Sequence, residues 1–359
     1  MKVLHIVGAR PNFMKAAPVL NALSRRRVSQ CLVHTGQHYD QKMSNVFFDQ
    51  LGMPKPDINL GIGSGSHTEQ TANTMLRLEE VLLDKRPDWV IVYGDINSTV
   101  AATLTSVKLG IKTAHVEAGL RSYDRSMPEE INRMVTDSIC DLHLTPSPDA
   151  NENLIKEGID KNRIHFVGNV MIDTLKRLLP KAKLPIMDAL KKPYALVTLH
   201  RPANVDEPGV LKMLFHAISN LPGDLQAVFP IHPRTACKLK ELGIDFSNTS
   251  KLLVSGPLGY LEFLALQKSA TVVITDSGGV QEETTFLRVP CLTMRENTER
   301  PITITQGTNT LIGMDVSRLH REVIRIVEGN RKSGEIPKFW DGNASERIAE
   351  ILLKSHSAS

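Results

Sequence analysis

The chain has 359 residues, of which 41% are hydrophobic and 23% are charged, which is the composition of an ordinary soluble globular protein. Its net charge is only +4, and aromatic residues make up 5% of the chain, so the sequence offers neither a strong basic patch nor stacking platforms for nucleic acid. A chain of this length predicts two domains, because single hydrophobic cores rarely extend beyond about 250–300 residues.

The cysteines are scattered without C-x-x-C spacing, at Cys31, Cys140, Cys237 and Cys291. This spacing argues against zinc and iron–sulfur sites and fits reduced thiols in the cytosol. No apolar run reaches the roughly eighteen residues that a membrane span needs, and the N-terminus predicts a strand that enters a glycine turn. We therefore expect a cytoplasmic protein that binds no metal and no membrane.

Apolar strand-like runs alternate with amphipathic helix-like runs along the chain. The first set of predicted strands is Val3–Val7, Gln30–His34, Trp89–Tyr93, Thr113–Val116, Leu142–Thr145 and Ile164–Val167. The second set is Tyr194–Leu199, Ala227–Pro230, Leu252–Ser255, Thr271–Thr275, Cys291–Met294 and Thr310–Ile312. Continuous Val, Ile and Leu runs are typical of parallel strands covered on both faces. The alternation predicts an α/β protein with two doubly wound, Rossmann-like domains, because twelve strands exceed one comfortable sheet.

Amphipathic helices are predicted between these strands, and Ser66 with Glu69 forms the capping-box pattern in front of one of them. The predicted helices include Glu69–Leu83, Glu129–Ile139, Leu211–Ile218, Leu261–Lys268, Ser317–Glu328 and Ala344–Lys354. We place the domain boundary after Gly168-Asn169, where the last strand of the first set ends.

Ligands of open α/β sheets bind at the carboxyl ends of the strands, so catalytic and binding residues are expected at those positions. Arg10 and Lys15 follow the first strand and could bind an anionic substrate, or be ordinary surface charges at a helix start. Asp95 and Glu117 directly follow two other strands and could both point into one cleft. Either acid could instead cap the next helix, and for Asp95 alone capping is the favoured interpretation. Glu129 stands at a Pro-led helix start, where an acid also has a structural role.

The stretch Val272–Glu283 predicts a buried strand, a small-residue turn and a helix from Val280. Gly278 and Gly279 would let backbone N–H groups approach an anion at the helix N-terminus, most simply a phosphate. Glu282 and Glu283 would lie in the first helical turn, where the helix macrodipole favours acidic side chains. Glu283 could also bind a sugar hydroxyl. The alternative is a glycine-rich turn followed by structural acids.

Two further strand ends in the second half carry charged groups, at His200-Arg201 and in the loop that contains Arg300. His200 is well placed to meet a phosphate, although a lone histidine is more often structural. No G-x-G-x-x-G opens the first βα unit and no P-loop lysine pattern occurs, so NAD and ATP are disfavoured and we expect no cofactor. These residues predict an enzyme that acts on a nucleotide-linked small molecule, and they leave the reaction open.

Several strings, taken together and in order, resemble the non-hydrolysing UDP-N-acetylglucosamine 2-epimerases. In the first half they are GARP from Gly8, TGQHY from Thr35, HVEAGLR from His115 and PEEINR from Pro128. In the second half they are TLHR from Thr198, TDSGGVQEE from Thr275 and TERP from Thr298. A set that runs from residue 8 to beyond residue 300 is far more specific than any one string.

The resemblance implies the two-domain fold of many glycosyltransferases (GT-B-like), with a nucleotide cleft between the domains and a C-terminal helix that returns to the first domain. The domains would then be 1–168 with 344–359, carrying the catalytic carboxylates, and 169–343, binding UDP. By matching position, Ser277, Gly278 and Gly279 would hold phosphate, Glu283 the ribose, and Phe263 would lie near the uracil. Arg10, Lys15, His200 and Arg300 would line the same site, and the catalytic residues would be the carboxylates Asp95, Glu117 and Glu129 together with His200. The family also implies a homodimer.

The implied reaction is the reversible C2 epimerisation of UDP-N-acetylglucosamine to UDP-N-acetylmannosamine, which supplies polysaccharide precursors. It would proceed by anti elimination of UDP through a 2-acetamidoglucal, followed by re-addition, with cations and N–H dipoles holding the diphosphate and carboxylates moving protons. The alternatives are a 2-epimerase of a related UDP-diacetamido sugar, a glycosyltransferase of the same fold, hydrolytic release of the sugar, or a non-catalytic UDP-sugar binder. The Gly61–Ser66 and Gly259–Phe263 segments resemble the diacetamido branch.

The regulated bacterial members of the family carry an allosteric site for a second substrate molecule, built from two glutamines, an arginine and a histidine. Gln37 and His232 match this set, whereas Asp40 and Ser64 occupy the other aligned positions. We therefore expect activation by UDP-N-acetylglucosamine to be weak or absent.

Overall fold

The computed structural model describes residues 1–36, 51–185, 190, 193–247 and 249–357. These residues form two compact units, Met1–Arg177 with Lys338–Ser359, and Leu178–Pro337. The unit boundaries thus follow Arg177 and Pro337, whereas the sequence analysis placed them after residues 168 and 343. The helices of the described residues include none that is long and apolar enough to cross a membrane.

The first unit is built on a parallel sheet with helices between its strands. The strands are β1 (Lys2–Val7), β2 (Ser29–His34), β3 (Ile58–Asn59), β4 (Trp89–Tyr93), β5 (Lys112–Val116), β6 (Leu142–Thr145) and β7 (Ile164–Phe166). The helices are α1 (Arg10–Arg25), α2 (His67–Lys85), α3 (Asn97–Lys108), α4 (Pro128–Ile139), α5 (Pro148–Lys156), α6 (Val170–Leu178) and, from the end of the chain, α14 (Ala344–Ser357). The strand order is β3-β2-β1-β4-β5-β6-β7, so the winding reverses between β1 and β4.

The second unit repeats this plan. Its strands are β8 (Tyr194–Thr198), β9 (Gln226–Pro230), β10 (Leu252–Ser255), β11 (Val272–Thr275), β12 (Cys291–Thr293) and β13 (Asn309–Leu311). Its helices are α7 (Pro202–Val205), α8 (Pro208–Ser219), α9 (Pro233–Glu241), α10 (Tyr260–Ser269), α11 (Gly278–Leu287), α12 (Ile302–Thr305) and α13 (Val316–Val327). The order β10-β9-β8-β11-β12-β13 reverses between β8 and β11, and such switch points are where open α/β sheets bind ligands.

All twelve predicted strands are present, and their ends differ from the predictions by one residue at most. Every pairing between the described strands is parallel, and β4 and β11 are buried along their whole length, which explains their continuous apolar sequences. The sequence analysis missed only β3, Ile58–Asn59, because two residues at a sheet edge carry no periodic signal.

Local capping and a returning helix complete the first unit. The Ser66 hydroxyl accepts from the Glu69 backbone N–H, and the Glu69 carboxylate accepts from that of Ser66, so the predicted capping box is confirmed. Helix α14 packs against α1, and Arg26 donates to Glu346 at 2.6 Å. Ile348 of α14 is completely buried. The two ends of the described chain therefore share one core.

Candidate functional site

The switch point of the first unit gathers candidate residues from several elements. Lys15 lies in α1 behind β1, Asp95 follows β4, and Glu117 follows the neighbouring strand β5. Gly94 separates β4 from Asp95 with φ +65, and a Cβ there would lie 2.8 Å from Lys15 Nζ and 3.3 Å from Glu117 Oε2. Only glycine fits both this backbone conformation and this space. The glycine therefore lets the side chains of Lys15 and Glu117 meet directly above the end of β4.

Lys15 and Glu117 form a buried ion pair, with each side chain 7% exposed. Glu117 has φ +77, a conformation that a non-glycine residue rarely adopts and that costs on the order of 1–3 kcal/mol. Arg10 is the first residue of α1. Its side chain lies outside the described part of the structure. The strained backbone of Glu117, held by a buried cation, makes this strand end a candidate functional site.

Asp95 accepts a hydrogen bond from Arg133 Nη1 at 2.5 Å, and the Asp95 side chain is 26% exposed. Asn132 donates to the Asp95 carbonyl at 2.9 Å, so α4 holds this residue through two contacts. The favoured sequence interpretation, that Asp95 caps the following helix, is wrong: α3 has Ile96 at its N-cap without a side-chain cap. A buried arginine in α4 was available as a stronger partner, which sequence spacing did not reveal.

The two acids at the start of α4 have different environments. Glu130 is 1% exposed and accepts from the backbone N–H groups of Ser122 and Tyr123 as well as from Arg133. Although burial alone would raise it, these donors hold the pKa of Glu130 below its usual value. Glu129 is half-buried in the first turn of the helix. Glu130 thus anchors the loop in front of α4, and Glu129 is the more accessible of the two acids.

The glycine turn of the second unit forms the N-terminus of α11. The helix begins at Gly278 and not at Val280, so Glu282 and Glu283 lie beyond its first turn, and their predicted macrodipole role is wrong. Ser277 is the N-cap, and Ser277, Gly278 and Gly279 are all partly exposed. Their N–H groups lie at a helix start, where the backbone donors favour an anion, and phosphate binding there stays a prediction.

Glu283 lies inside the second unit and faces Tyr260 of α10. The Tyr260 hydroxyl donates to Glu283 Oε1 at 2.8 Å. Burial, together with the neighbouring carboxylate of Glu282, raises the pKa of Glu283 to about 7. Phe263, one helical turn after Tyr260, is half-buried and packs against the core around Val280. These residues offer a polar and an apolar contact beside the start of α11.

A buried network of arginines and acids packs against the turn at the start of α11. Arg300 donates from Nε to Glu282 at 2.7 Å and also bonds Glu299, and Arg295 donates to Glu299 at 2.7 Å. A Cβ on Gly278 would lie 2.4 Å from Arg300 Nη1, so the turn and the arginine are in close contact. Although Glu299 is buried, Arg300 and Arg295 hold its pKa well below the usual range. Sequence reasoning selected Arg300 but missed its partners Glu282 and Glu299, because nothing in the spacing pairs them.

His200 at the end of β8 is oriented by Asp276 at the end of β11. Its Nδ1 lies 3.0 Å from Asp276 Oδ1, while its ring is about half exposed. Asp276 is completely buried and also accepts from the backbone N–H groups of His200 and Arg201 and from the Asn204 side chain. Asp276 thus ties together the two strands at the second switch point. Sequence analysis missed this role, although the aspartate stood in the TDSGG string.

The residues of the expected regulatory site are described only in part. Gln37 and Asp40 lie outside the described residues. His232 is exposed at the N-cap of α9, and Ser64 is exposed in the loop before α2. The expectation of weak activation therefore stays a prediction.

Comparison with known proteins identifies close relatives. The family model described as UDP-N-acetylglucosamine 2-epimerase matches residues 21–353. A protein named UDP-N-acetylglucosamine 2-epimerase from Methanocaldococcus jannaschii is 43% identical over 363 residues, which cover 98% of this chain and 99% of that protein. A protein named UDP-2,3-diacetamido-2,3-dideoxy-D-glucuronate 2-epimerase from Pseudomonas aeruginosa is 41% identical over 358 residues, which cover 99% of this chain and all of that protein.

The fold also matches a solved structure. The crystal structure of Methanocaldococcus jannaschii UDP-GlcNAc 2-epimerase in complex with UDP-GlcNAc and UDP has a TM-score of 0.90 and 41% identity, covering 99% of this chain and 100% of that one. The predicted fold class, two doubly wound α/β units of the GT-B-like type, is therefore confirmed.

Proposed function

The chain belongs to the UDP-N-acetylglucosamine 2-epimerase family, and we propose that it interconverts UDP-N-acetylglucosamine and UDP-N-acetylmannosamine. The observation that carries this proposal is the buried Lys15–Glu117 pair at the end of β5, in a chain whose relative was crystallised with UDP-GlcNAc and UDP. A carboxylate on a strained backbone, fixed by a cation, is suited to proton transfer and not to stabilising a fold.

The proposed chemistry is elimination and re-addition. The hydrogen on C2 is not next to a carbonyl, so its direct removal as a proton is too costly. A base takes this proton while the C1–O bond to UDP breaks, and the electron pair of the C2–H bond forms the C1–C2 double bond of 2-acetamidoglucal. Protonation of C2 on the opposite face and return of the UDP oxygen to C1 then give the epimer. The reaction is redox-neutral, and UDP leaves and returns unchanged.

The second unit would hold UDP while it is detached from the sugar. N–H groups at the start of α11, in Ser277, Gly278 and Gly279, would bind the diphosphate, and Arg300 and His200 would stabilise its added negative charge. Asp276 orients the His200 ring through Nδ1, which leaves Nε2 for a phosphate oxygen. In this proposal Glu283 binds the ribose and Phe263 lies near the uracil.

The first unit would move the protons. Asp95, Glu117 and Glu129 are the proposed acid and base groups, and both faces of C2 need one. Arg10 and Lys15 would add positive charge on the side of the substrate. The Arg133–Asp95 and Lys15–Glu117 pairs hold two of these carboxylates at fixed positions, which is the pre-organisation that proton transfer requires.

Incubation of the protein with UDP-N-acetylglucosamine in deuterated water tests the reaction. We expect the manno epimer to accumulate with deuterium at C2, seen as loss of the C2 proton signal in an NMR time course. Epimer formed without deuterium would refute elimination, and release of free N-acetylmannosamine would indicate hydrolysis instead.

A related diacetamido sugar is the second candidate substrate, because the Pseudomonas aeruginosa relative is nearly as similar as the Methanocaldococcus one. The same NMR time course with UDP-2,3-diacetamido-2,3-dideoxyglucuronate separates the two. The substrate with the larger kcat/KM is the preferred one, and a preference for the diacetamido sugar would correct the proposed substrate while leaving the chemistry in place.

A further inference from the structure

His115 lies completely buried in β5, two residues before Glu117, and both of its ring nitrogens are hydrogen-bonded. Its Nδ1 lies 2.6 Å from Asp137 Oδ1, and its Nε2 lies 2.7 Å from the Gly94 carbonyl oxygen. A carbonyl oxygen only accepts hydrogen bonds, so Nε2 carries a proton. A carboxylate likewise only accepts, so Nδ1 carries one as well. The two partners together require an imidazolium.

Asp137 also pairs with the guanidinium of Arg121, which favours its ionised form over the alternative in which it donates to a neutral ring. Its second oxygen accepts from Arg121 Nη1 at 2.7 Å and from the Gly119 backbone N–H at 3.0 Å. Burial raises the pKa of Asp137, whereas His115 itself and then Arg121 lower it to about 2, so among the groups outside the pair Arg121 is the cation that supports the ionised form. A distance of 2.6 Å between His115 and Asp137 is also that of a charge-assisted bond. Other ionisable groups around the pair are Cys140, His143, Glu157 and Arg163.

His5 offers an internal contrast in the same sheet. Its Nε2 lies 3.0 Å from Gln30 Oε1, an acceptor, but its Nδ1 lies 2.7 Å from the Tyr93 hydroxyl, which is able to donate. A neutral ring therefore satisfies His5, and burial lowers its pKa to about 4. Both histidines are fully buried, so the identity of the partners sets their difference in charge.

The His115–Asp137 pair fastens the segments that carry the three candidate carboxylates. The Gly94 carbonyl belongs to the residue before Asp95, and Gly119 lies two residues after Glu117. Asp137 belongs to α4, whose first turn contains Glu129. One buried ion pair thus contacts the end of β4, the loop after β5 and the helix α4.

We propose that His115 is a doubly protonated positioning residue. Its two N–H groups, with Asp137, hold Asp95, Glu117 and Glu129 at fixed positions relative to one another. This role rests on the proposed function, because it assumes that those three carboxylates transfer protons. The His115 ring does not touch the substrate, and acts only through the backbone and through Asp137.

A metal site is the competing interpretation of the same cluster. Ligand atoms of His115, Asp137 and Cys140 all lie within 4.8 Å of one another, the one such buried group among the described residues. However, both ring nitrogens of His115 already bond protein atoms, and Asp137 is shared with the cation of Arg121. A metal ion would have to displace these partners. Hydrogen bonding is therefore favoured.

Nitrogen-15 NMR of the histidine-labelled full-length protein tests the protonation state directly. At pH 8 we expect protons on both ring nitrogens of His115 and on only one nitrogen of His5, with a His115→Gln spectrum assigning the signal. A single protonated nitrogen at His115, or a zinc equivalent found by metal analysis and coordinated there, would overturn the proposal. This measurement does not depend on activity, so it stands even if the proposed function fails.

Asp137→Asn tests the positioning role, with Asp173→Asn as matched control. Asp173 is also a buried aspartate of the first unit that accepts backbone N–H groups, but its partners are Ala344 and Ser345 at the start of α14. We expect Asp137→Asn to lower kcat roughly tenfold to a hundredfold, because displacements of about 1 Å have that effect, and to remove one His115 proton. UDP affinity should stay within about twofold. Unchanged kcat, or an equal kcat loss in Asp173→Asn, would contradict the role.

Discussion

The two units use the same sheet topology but present different groups at their switch points. The first unit places acids there and pairs them with its own cations, in Lys15–Glu117 and Arg133–Asp95. The second unit presents uncharged N–H groups at the start of α11, and its nearby Arg300 is paired with acids of its own. The difference teaches that topology fixes where a candidate site forms, whereas the residues at the strand ends decide whether it is suited to the proposed proton transfer or to the proposed anion binding.

Replacement of Glu117 by Gln should have the largest effect. It should impair the proton transfer proposed for the first unit and leave UDP binding by the second unit nearly unchanged. We expect kcat to fall about a thousandfold, because general acid–base groups contribute roughly 10²–10⁴. UDP affinity, measured by calorimetry, should change less than about threefold. Glu80→Gln on the exposed face of α2 is the matched control and should behave as wild type. Full turnover in Glu117→Gln, or a parallel loss of UDP affinity, would break the proposed division between the units.

Replacement of Glu283 by Gln should test the buried acid of the second unit whose pKa is raised. The pKa of Glu283 is raised to about 7 from 4.5, so the stability that its protonated form contributes is present below pH 4.5 and is lost as pH rises through 7. At 1.36 kcal/mol per pH unit, this difference corresponds to roughly 3 kcal/mol. We expect the variant to lose less stability than wild type between pH 4.5 and 8, measured by urea unfolding. Identical pH profiles for the two proteins would show that the pKa of Glu283 is not raised.

Replacement of Gly278 by Ala should have the smallest effect of the three and should fall on the second unit alone. The added Cβ would lie 2.4 Å from Arg300 Nη1 and 2.7 Å from Glu299 Oε1, so the turn or the arginine must shift. Overpacking of this kind costs about 1–3 kcal/mol, and we expect UDP affinity to weaken about tenfold. Gly256→Ala is the control, since a Cβ there meets nothing within 4 Å. If Gly278→Ala binds UDP as tightly as wild type, Arg300 does not contribute to the proposed phosphate site.

The sequence predicted the strands well because each is a continuous apolar run in a fully covered parallel sheet. It also placed the candidate residues at strand ends, since strand ends follow directly from strand prediction. The glycine turn was identified as a helix start, but the helix begins two residues earlier than predicted, because glycine has too low a helix propensity to indicate a first turn.

The partners of the candidate residues could not be predicted. Arg133 and Asp95 are 38 residues apart, and Lys15 and Glu117 are 102 apart, so only the folded sheet brings them together. The role of Asp276 and the two hydrogen bonds of the His115 ring likewise depend on which groups face these side chains in the folded protein. Long-range pairing of this kind leaves no periodic signal in one sequence.

The packing of α14 against α1 has a consequence for the order in which the protein is completed during synthesis. A ribosome delivers residues from the N-terminus onward, and domains generally fold as they emerge. Ile348 and Leu352 are completely buried in the first unit, so its core lacks part of its cover until α14 has been synthesised. Residues 178–337 are available earlier and form a unit with a core of their own. We therefore expect the first part of the chain to be translated to be the last to reach its native structure.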